Sequence, residues 1–129
     1  MYPRSEASPT ILLVDDEPTL RRIVRIVLEH AGFRVIDAAD GDEALHRFDE
    51  CVAAVELVVT DLSMPGMNGR ELTNRLKARA PALKVLLMSG DPDDSESDSE
   101  HWIQKPFEPS ELADKVRRLL GHPSIEVDT

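Results

Sequence analysis

The chain has 129 residues, 41% of them hydrophobic and only 4% aromatic, with a formal net charge of −10 at pH 7. That length suits one domain burying roughly two-thirds of its unfolded surface in a core of Val, Leu, Ile and Ala, with no room for a second folded module. The acidic balance excludes direct nucleic-acid binding, which depends on Lys and Arg neutralising phosphates.

Residues 1–9 read as a flexible N-terminal segment in which Arg4 and Glu6 interrupt any signal-peptide core. Ile11-Leu12-Leu13-Val14 is a short apolar run that stops on Asp15-Asp16-Glu17-Pro18. Strand, acidic turn and helix start follow, since proline's missing N–H costs nothing in a first helical turn and acids favour that end of the helix dipole. Leu20, Ile23, Val24, Val27, Leu28 and Ala31 then recur at helical spacing, with Arg21, Arg22 and Arg25 on the other face and Gly32 as the stop.

Phe33 to Ala38 reads as a second strand, and Asp40-Gly41-Asp42 opens a helix carrying Ala44, Leu45 and Phe48. Cys51 stands alone, so it forms neither an internal disulfide nor a cysteine metal cluster, and a reduced cytoplasmic setting is the simple reading. Leu57, Val58 and Val59 mark a buried central strand that delivers Asp61 to its carboxyl end, followed by a loop rich in proline and glycine. Gly69 to Ala80 places Leu72 and Leu76 on one helical face, and Val85 to Met88 is a fourth strand leading to Ser89-Gly90.

Residues 91–100 contain six acids, three serines, one proline and no apolar side chain. Such a composition cannot bury enough surface to offset ordering entropy, so it reads as a solvated acidic loop, or as a docking site for a basic partner. His101 to Gln104 is a short fifth strand, Lys105-Pro106-Phe107 a turn, and Pro109 to Leu120 a last helix with Leu112, Val116, Leu119 and Leu120 inward. Gly121 ends it, and residues 122–129 form a tail. No apolar run approaches the roughly 18 residues of a membrane span.

Strands alternating with helices imply parallel crossovers and a three-layer α/β sandwich spanning residues 10–121. In such sheets ligands bind at the carboxyl edge, where Asp15, Asp16, Asp61, Ser89 and Lys105 all fall. Crowded carboxylates raise each other's pKa unless a cation neutralises them, and an oxygen-only ligand set suits Mg²⁺. A carboxylate beside Mg²⁺, with an ammonium and a hydroxyl nearby, is what phosphoryl transfer to an aspartate needs.

Four motifs in this order and spacing, Leu-Val-Asp-Asp-Glu-Pro, Asp-Leu-Ser-Met-Pro-Gly-Met-Asn-Gly, Met-Ser-Gly and Gln-Lys-Pro-Phe, resemble a response-regulator receiver domain of two-component signalling. The resemblance covers Thr10 to Gly121 and implies a flavodoxin-like parallel sheet of five strands in the order 2-1-3-4-5. It makes Asp61 the phosphoacceptor from a histidine kinase or histidine phosphotransfer protein. Asp16 would bind Mg²⁺ directly, Asp15 partly through water, and the Ser63 carbonyl would be a further ligand. Lys105 would pair with the phosphoryl oxygens, across a cis bond to Pro106. Ser89 matches the switch hydroxyl, and Trp102 either the coupled aromatic switch or an ordinary packing residue.

The acidic stretch departs from the family, implying a fourth helix shortened or missing and an output face unlike that of dimeric DNA-binding regulators. What remains is a receiver that catalyses only its own phosphorylation and dephosphorylation and signals to a downstream protein target, free-standing or taken from a hybrid kinase. Two rivals stand beside it. A haloacid-type phosphatase would want a second Asp where Ser63 stands, and a phosphorylation-independent binding module would keep the acidic pocket as structure only.

Overall fold

The computed structural model describes residues 9–51, 54–91 and 101–121. The elements in order are β1 (Thr10–Val14), α1 (Pro18–His30), β2 (Arg34–Ala38), α2 (Gly41–Glu50), β3 (Val55–Asp61), α3 (Gly69–Arg79), β4 (Lys84–Ser89), β5 (His101–Gln104) and α4 (Pro109–Leu119). Of the expected flexible start (1–9), acidic loop (91–100) and tail (122–129), residues 1–8, 92–100 and 122–129 lie outside the described residues. Among the described residues no helix is long and apolar enough to cross a membrane.

The strands form one parallel sheet in the order β2-β1-β3-β4-β5, the flavodoxin-like order expected. Side chains alternate across a strand, so each apolar run feeds two cores at once. Ile11, Leu13, Leu57 and Val59 face one layer, where Val24 and Leu28 of α1 meet Leu112 and Val116 of α4. Leu12, Val14, Val58 and Leu87 face the other, where Phe48 of α2 meets Leu72 and Leu76 of α3. A sheet covered on both faces explains why its strands read as continuous apolar runs rather than as alternating ones.

Side-chain caps set where the helices begin. Glu17, Asp40 and Asn68 accept from the N–H groups of Leu20, Glu43 and Glu71 at 3.1, 2.8 and 2.9 Å. Each satisfies a donor that the first helical turn leaves without an intrahelical partner. Because β3 begins just after the α2 turn and ends at Asp61, register aligns Val14 with Ala38 and Thr60, Asp61 with Met88, and Ser89 with Gln104. All the strand-end polar residues therefore emerge at one edge.

Helix α1 differs from the expected pattern on both faces. Ile23, assigned to the inward stripe, is 52% exposed, and Ile26 is 46% exposed. Val24 and Leu28 fill the core, Leu20, Val27 and Ala31 pack at its margin, and Ile23 and Ile26 face out. Arg21 and Arg25 do not simply extend into solvent. Both reach Asp37 on β2, with Arg21 Nε 3.7 Å and Arg25 Nη1 3.2 Å from its carboxylate.

Candidate functional site

The turn after β1 holds Asp15 in complete burial. Its Oδ1 accepts from the Glu17 N–H at 2.9 Å, its own N–H donates to the Ala38 carbonyl at 3.2 Å, and its carbonyl accepts from Arg21 Nη1 at 2.8 Å. Oδ2 is buried with no hydrogen-bond partner among the described residues. Burial pushes the Asp15 carboxyl above the ordinary carboxylate range. The Glu17 N–H and the Lys105 ammonium oppose that rise, while the carboxylates of Asp61 and Asp16 add to it.

Asp61 is the last residue of β3 and is buried. Its Oδ1 lies 3.0 Å from Lys105 Nζ. Lys105 is carried there by the end of β5, where its N–H donates to the Ser89 carbonyl at 2.7 Å and the bond to Pro106 is cis, as the resemblance implies. From the other side Asp16, exposed, and Asp15 each bring a carboxylate oxygen into the group. One oxygen from each of Asp15, Asp16 and Asp61 lies within 4.8 Å of the other two. Three grouped carboxylates, one of them buried with an unpartnered oxygen, are a donor set suited to a hard divalent cation such as Mg²⁺.

Ser89 stands at the end of β4, one residue beyond the register partner of Asp61. It is buried, and its Oγ accepts from the Asp91 N–H and donates to the Asp91 carbonyl, both at 3.1 Å. Ser63 is exposed on the loop after β3, where it lines a shallow groove with Met64, Asn68 and Arg70. Trp102 is half-buried against the core layer of α2 and α3, and the Arg70 guanidinium carbon sits 5.1 Å from its ring centroid. That geometry is a cation–π contact.

The sequence reading therefore placed Asp15, Asp16, Asp61 and Lys105 where the structure brings them together, with Ser89 on the adjoining strand. It missed the supports. Arg21 grips the backbone of the acidic turn, and Gly69 lets α3 start against the end of β3: a Cβ there would lie 2.5 Å from the Asp61 carbonyl oxygen. An acid following the apolar pair Val35-Ile36 in a strand, Asp37, was the available signal for the first, and a glycine opening a helix for the second.

A doubly wound sheet with an acid triplet and one lysine converging at its carboxyl edge defines a CheY-like α/β domain. Residues 11–117 match the family described as response regulator receiver domain, and the chain belongs to that family. The chain is 32% identical over 120 residues to the transcriptional regulatory protein ResD of Bacillus subtilis, covering 88% of this chain and 49% of ResD. It is 34% identical over 119 residues to the sensor kinase CckA of Brucella abortus, covering 88% of this chain and 13% of CckA. The chain thus spans less than half of either relative.

Among solved structures, the chemotaxis protein CheY4 of Vibrio cholerae superposes with a TM-score of 0.80 at 27% identity, covering 88% of this chain and 99% of that one. The receiver domain of the hybrid histidine kinase CckA superposes with a TM-score of 0.76 at 30% identity, covering 86% and 98%. Receiver homologues of both kinds place the chain in phosphorelay signalling.

Proposed function

We propose that this domain accepts a phosphoryl group on Asp61 from the phosphohistidine of a histidine kinase or phosphotransfer protein, in a Mg²⁺-dependent step. The observation that carries the reading is the placement of Asp61: buried at a strand end, 3.0 Å from Lys105 Nζ on one side and beside the Asp15-Asp16 turn on the other. An Asp61 carboxylate oxygen attacks phosphorus, a P–O bond forms, the P–N bond breaks, and the imidazole, protonated on its second nitrogen, leaves neutral. Lys105 shifts from the Asp61 carboxylate to the incoming phosphoryl oxygens, where its charge opposes the negative charge that gathers in transfer.

Asp15, Asp16 and Asp61, with the Ser63 carbonyl, would hold the cation. When bound it neutralises the carboxylates and the transferring phosphoryl oxygens. Before transfer Asp15 keeps its N–H contacts, so the turn need not reorganise as charge arrives. Ser89 is the relay: its Oγ, now engaged with the Asp91 backbone, exchanges that partner for a phosphoryl oxygen and draws the following segment toward the site. Trp102, one strand over and under Arg70, is the residue whose packing would follow.

The partner face fits the same reading. Leu20, Ile23, Val24 and Val27 of α1 form with Pro106 and Phe107 an apolar cavity of about 420 Å³, and Lys105 lies at its edge. A helix delivering a phosphohistidine to Asp61 would pack there. With a net charge of −10 the surface repels nucleic acid, so the output is a contact with a protein. The reaction is the domain's own phosphorylation and its hydrolytic reversal, in a cytoplasmic setting, with no external substrate turned over.

Mass spectrometry after treatment with acetyl phosphate and Mg²⁺ tests this. A phosphoryl adduct should map to Asp61, and Asp61→Asn should fold yet take up none. Labelling of Asp61→Asn equal to wild type moves the acceptor elsewhere and ends the proposal.

A further inference from the structure

The acidic turn is held from behind by a side chain that no phosphoryl step uses. Arg21 is half-buried, its Nη1 donating to the Asp15 carbonyl at 2.8 Å and its Nε lying 3.7 Å from the Asp37 carboxylate. Asp37 is itself kept in place by Arg25 Nη1 at 3.2 Å, and Arg25 in turn by Glu29 at 3.0 Å. The Asp15 N–H donates to Ala38, the residue after Asp37. Both backbone polar groups of Asp15 are therefore tied to the end of β2, one directly and one through a rigid guanidinium fork.

We propose that Arg21 is a positioning residue for the divalent-cation site, holding the Asp15-Asp16 turn between β2 and α1 in the geometry the cation takes; this rests on the functional reading above. Carboxylates brought this close repel one another, and Lys105 and the Glu17 N–H offset only part of that, so a restraint behind the turn helps to keep it closed. Mg²⁺ tolerates little departure from octahedral geometry, and a turn that must be re-ordered on binding gives up affinity.

Two effects of Arg21 on cation binding have opposite sign. Its positive charge repels a cation, so losing the charge alone would tighten binding. The Asp37 carboxylate offsets much of that charge, and losing the restraint weakens binding.

Calorimetric titration of Mg²⁺ into the whole chain at constant ionic strength separates the two. Arg21→Met should raise the dissociation constant about tenfold, the low end for a group that orients a metal ligand. Arg21→Lys keeps the charge but cannot span both anchors, and should weaken binding about threefold, whereas Arg22→Met removes the same charge from an exposed neighbour and should stay within about twofold of wild type. Melting temperatures without Mg²⁺, taken alongside, separate loss of affinity from loss of fold.

Mg²⁺ binding by Arg21→Met as tight as wild type, or tighter, overturns the positioning role and leaves the functional reading standing. If Arg21→Met does not fold, Arg21→Lys carries the test, and wild-type affinity there overturns the role equally. A wild-type chain that binds no Mg²⁺ overturns the functional reading and this inference with it.

Discussion

Asp15 has one carboxylate oxygen bonded to the Glu17 N–H and the other enclosed without a partner among the described residues. Leaving such an atom unsatisfied costs about 1–3 kcal/mol, more when the group is charged. The consequence for pH follows from the direction of the shift. Because burial raises the folded-state value above the ordinary carboxylate value of 3.8, the folded protein holds the Asp15 proton more tightly than the unfolded chain does. Its contribution to stability is fully present below the unfolded value and is lost as pH rises through the folded one. At neutral pH, without divalent cations, the carboxylate is therefore a net burden. Asp15→Asn should raise the melting temperature at pH 7 by about 4 °C, or about 1 kcal/mol for a domain of this size. The gain should shrink as the melts are taken to lower pH and the wild-type carboxyl takes up its proton. A lower melting temperature for Asp15→Asn at pH 7 would mean that the carboxylate is compensated in a way these contacts do not provide.

At the scale of elements, the site depends on helix starts as much as on strand ends. Helix α3 begins at Gly69, whose N–H donates to the Leu62 carbonyl at 2.8 Å. A Cβ at that position would sit 2.5 Å from the Asp61 carbonyl oxygen and 2.9 Å from Leu62 Cα. Both are backbone atoms, so the clash is relieved only by moving β3 or the helix. Gly69→Ala should cost about 2 kcal/mol in urea unfolding, within the range for overpacked sites, and should also slow acetyl phosphate labelling of Asp61. Loss of stability without a change in labelling rate would show that the helix moves and the strand does not. The element boundaries were legible in the sequence to within a residue or two, because Pro18, Asp40 and Gly32 punctuate the chain by local chemistry. The width of the buried face of α1 was not legible: periodicity ranks Ile23 with Val24, and only the position of the sheet leaves Ile23 exposed.

For the whole molecule, the net charge of −10 and the acid triplet at the sheet edge act together. A ligand that binds only the folded state stabilises it by mass action, by about 2.7 kcal/mol when its concentration is a hundred times its dissociation constant. Millimolar Mg²⁺ should raise the melting temperature measurably, and NaCl at the same ionic strength should not reproduce the rise. Equal shifts from the two salts would reduce the effect to general screening and remove the case for a cation site. The response regulator receiver domains similar to this chain occur in proteins about twice its length and far longer.

By itself the sequence determined the alternation of strand and helix, the parallel sheet, and which acids, hydroxyl and lysine end up at its carboxyl edge. These are local properties: the length of an apolar run, the residue that stops it, and the crossover that parallel pairing requires. Only the tertiary structure decided the 3.0 Å approach of Lys105 to Asp61, the grip of Arg21 on the Asp15 backbone, the Arg70 guanidinium over Trp102, and the outward face of Ile23. Asp61 and Lys105 meet only once β3, β4 and β5 are in register, and Arg21 reaches Asp37 only where α1 lies over β2. Such contacts depend on the packing of elements distant along the chain, which no local pattern of residues encodes.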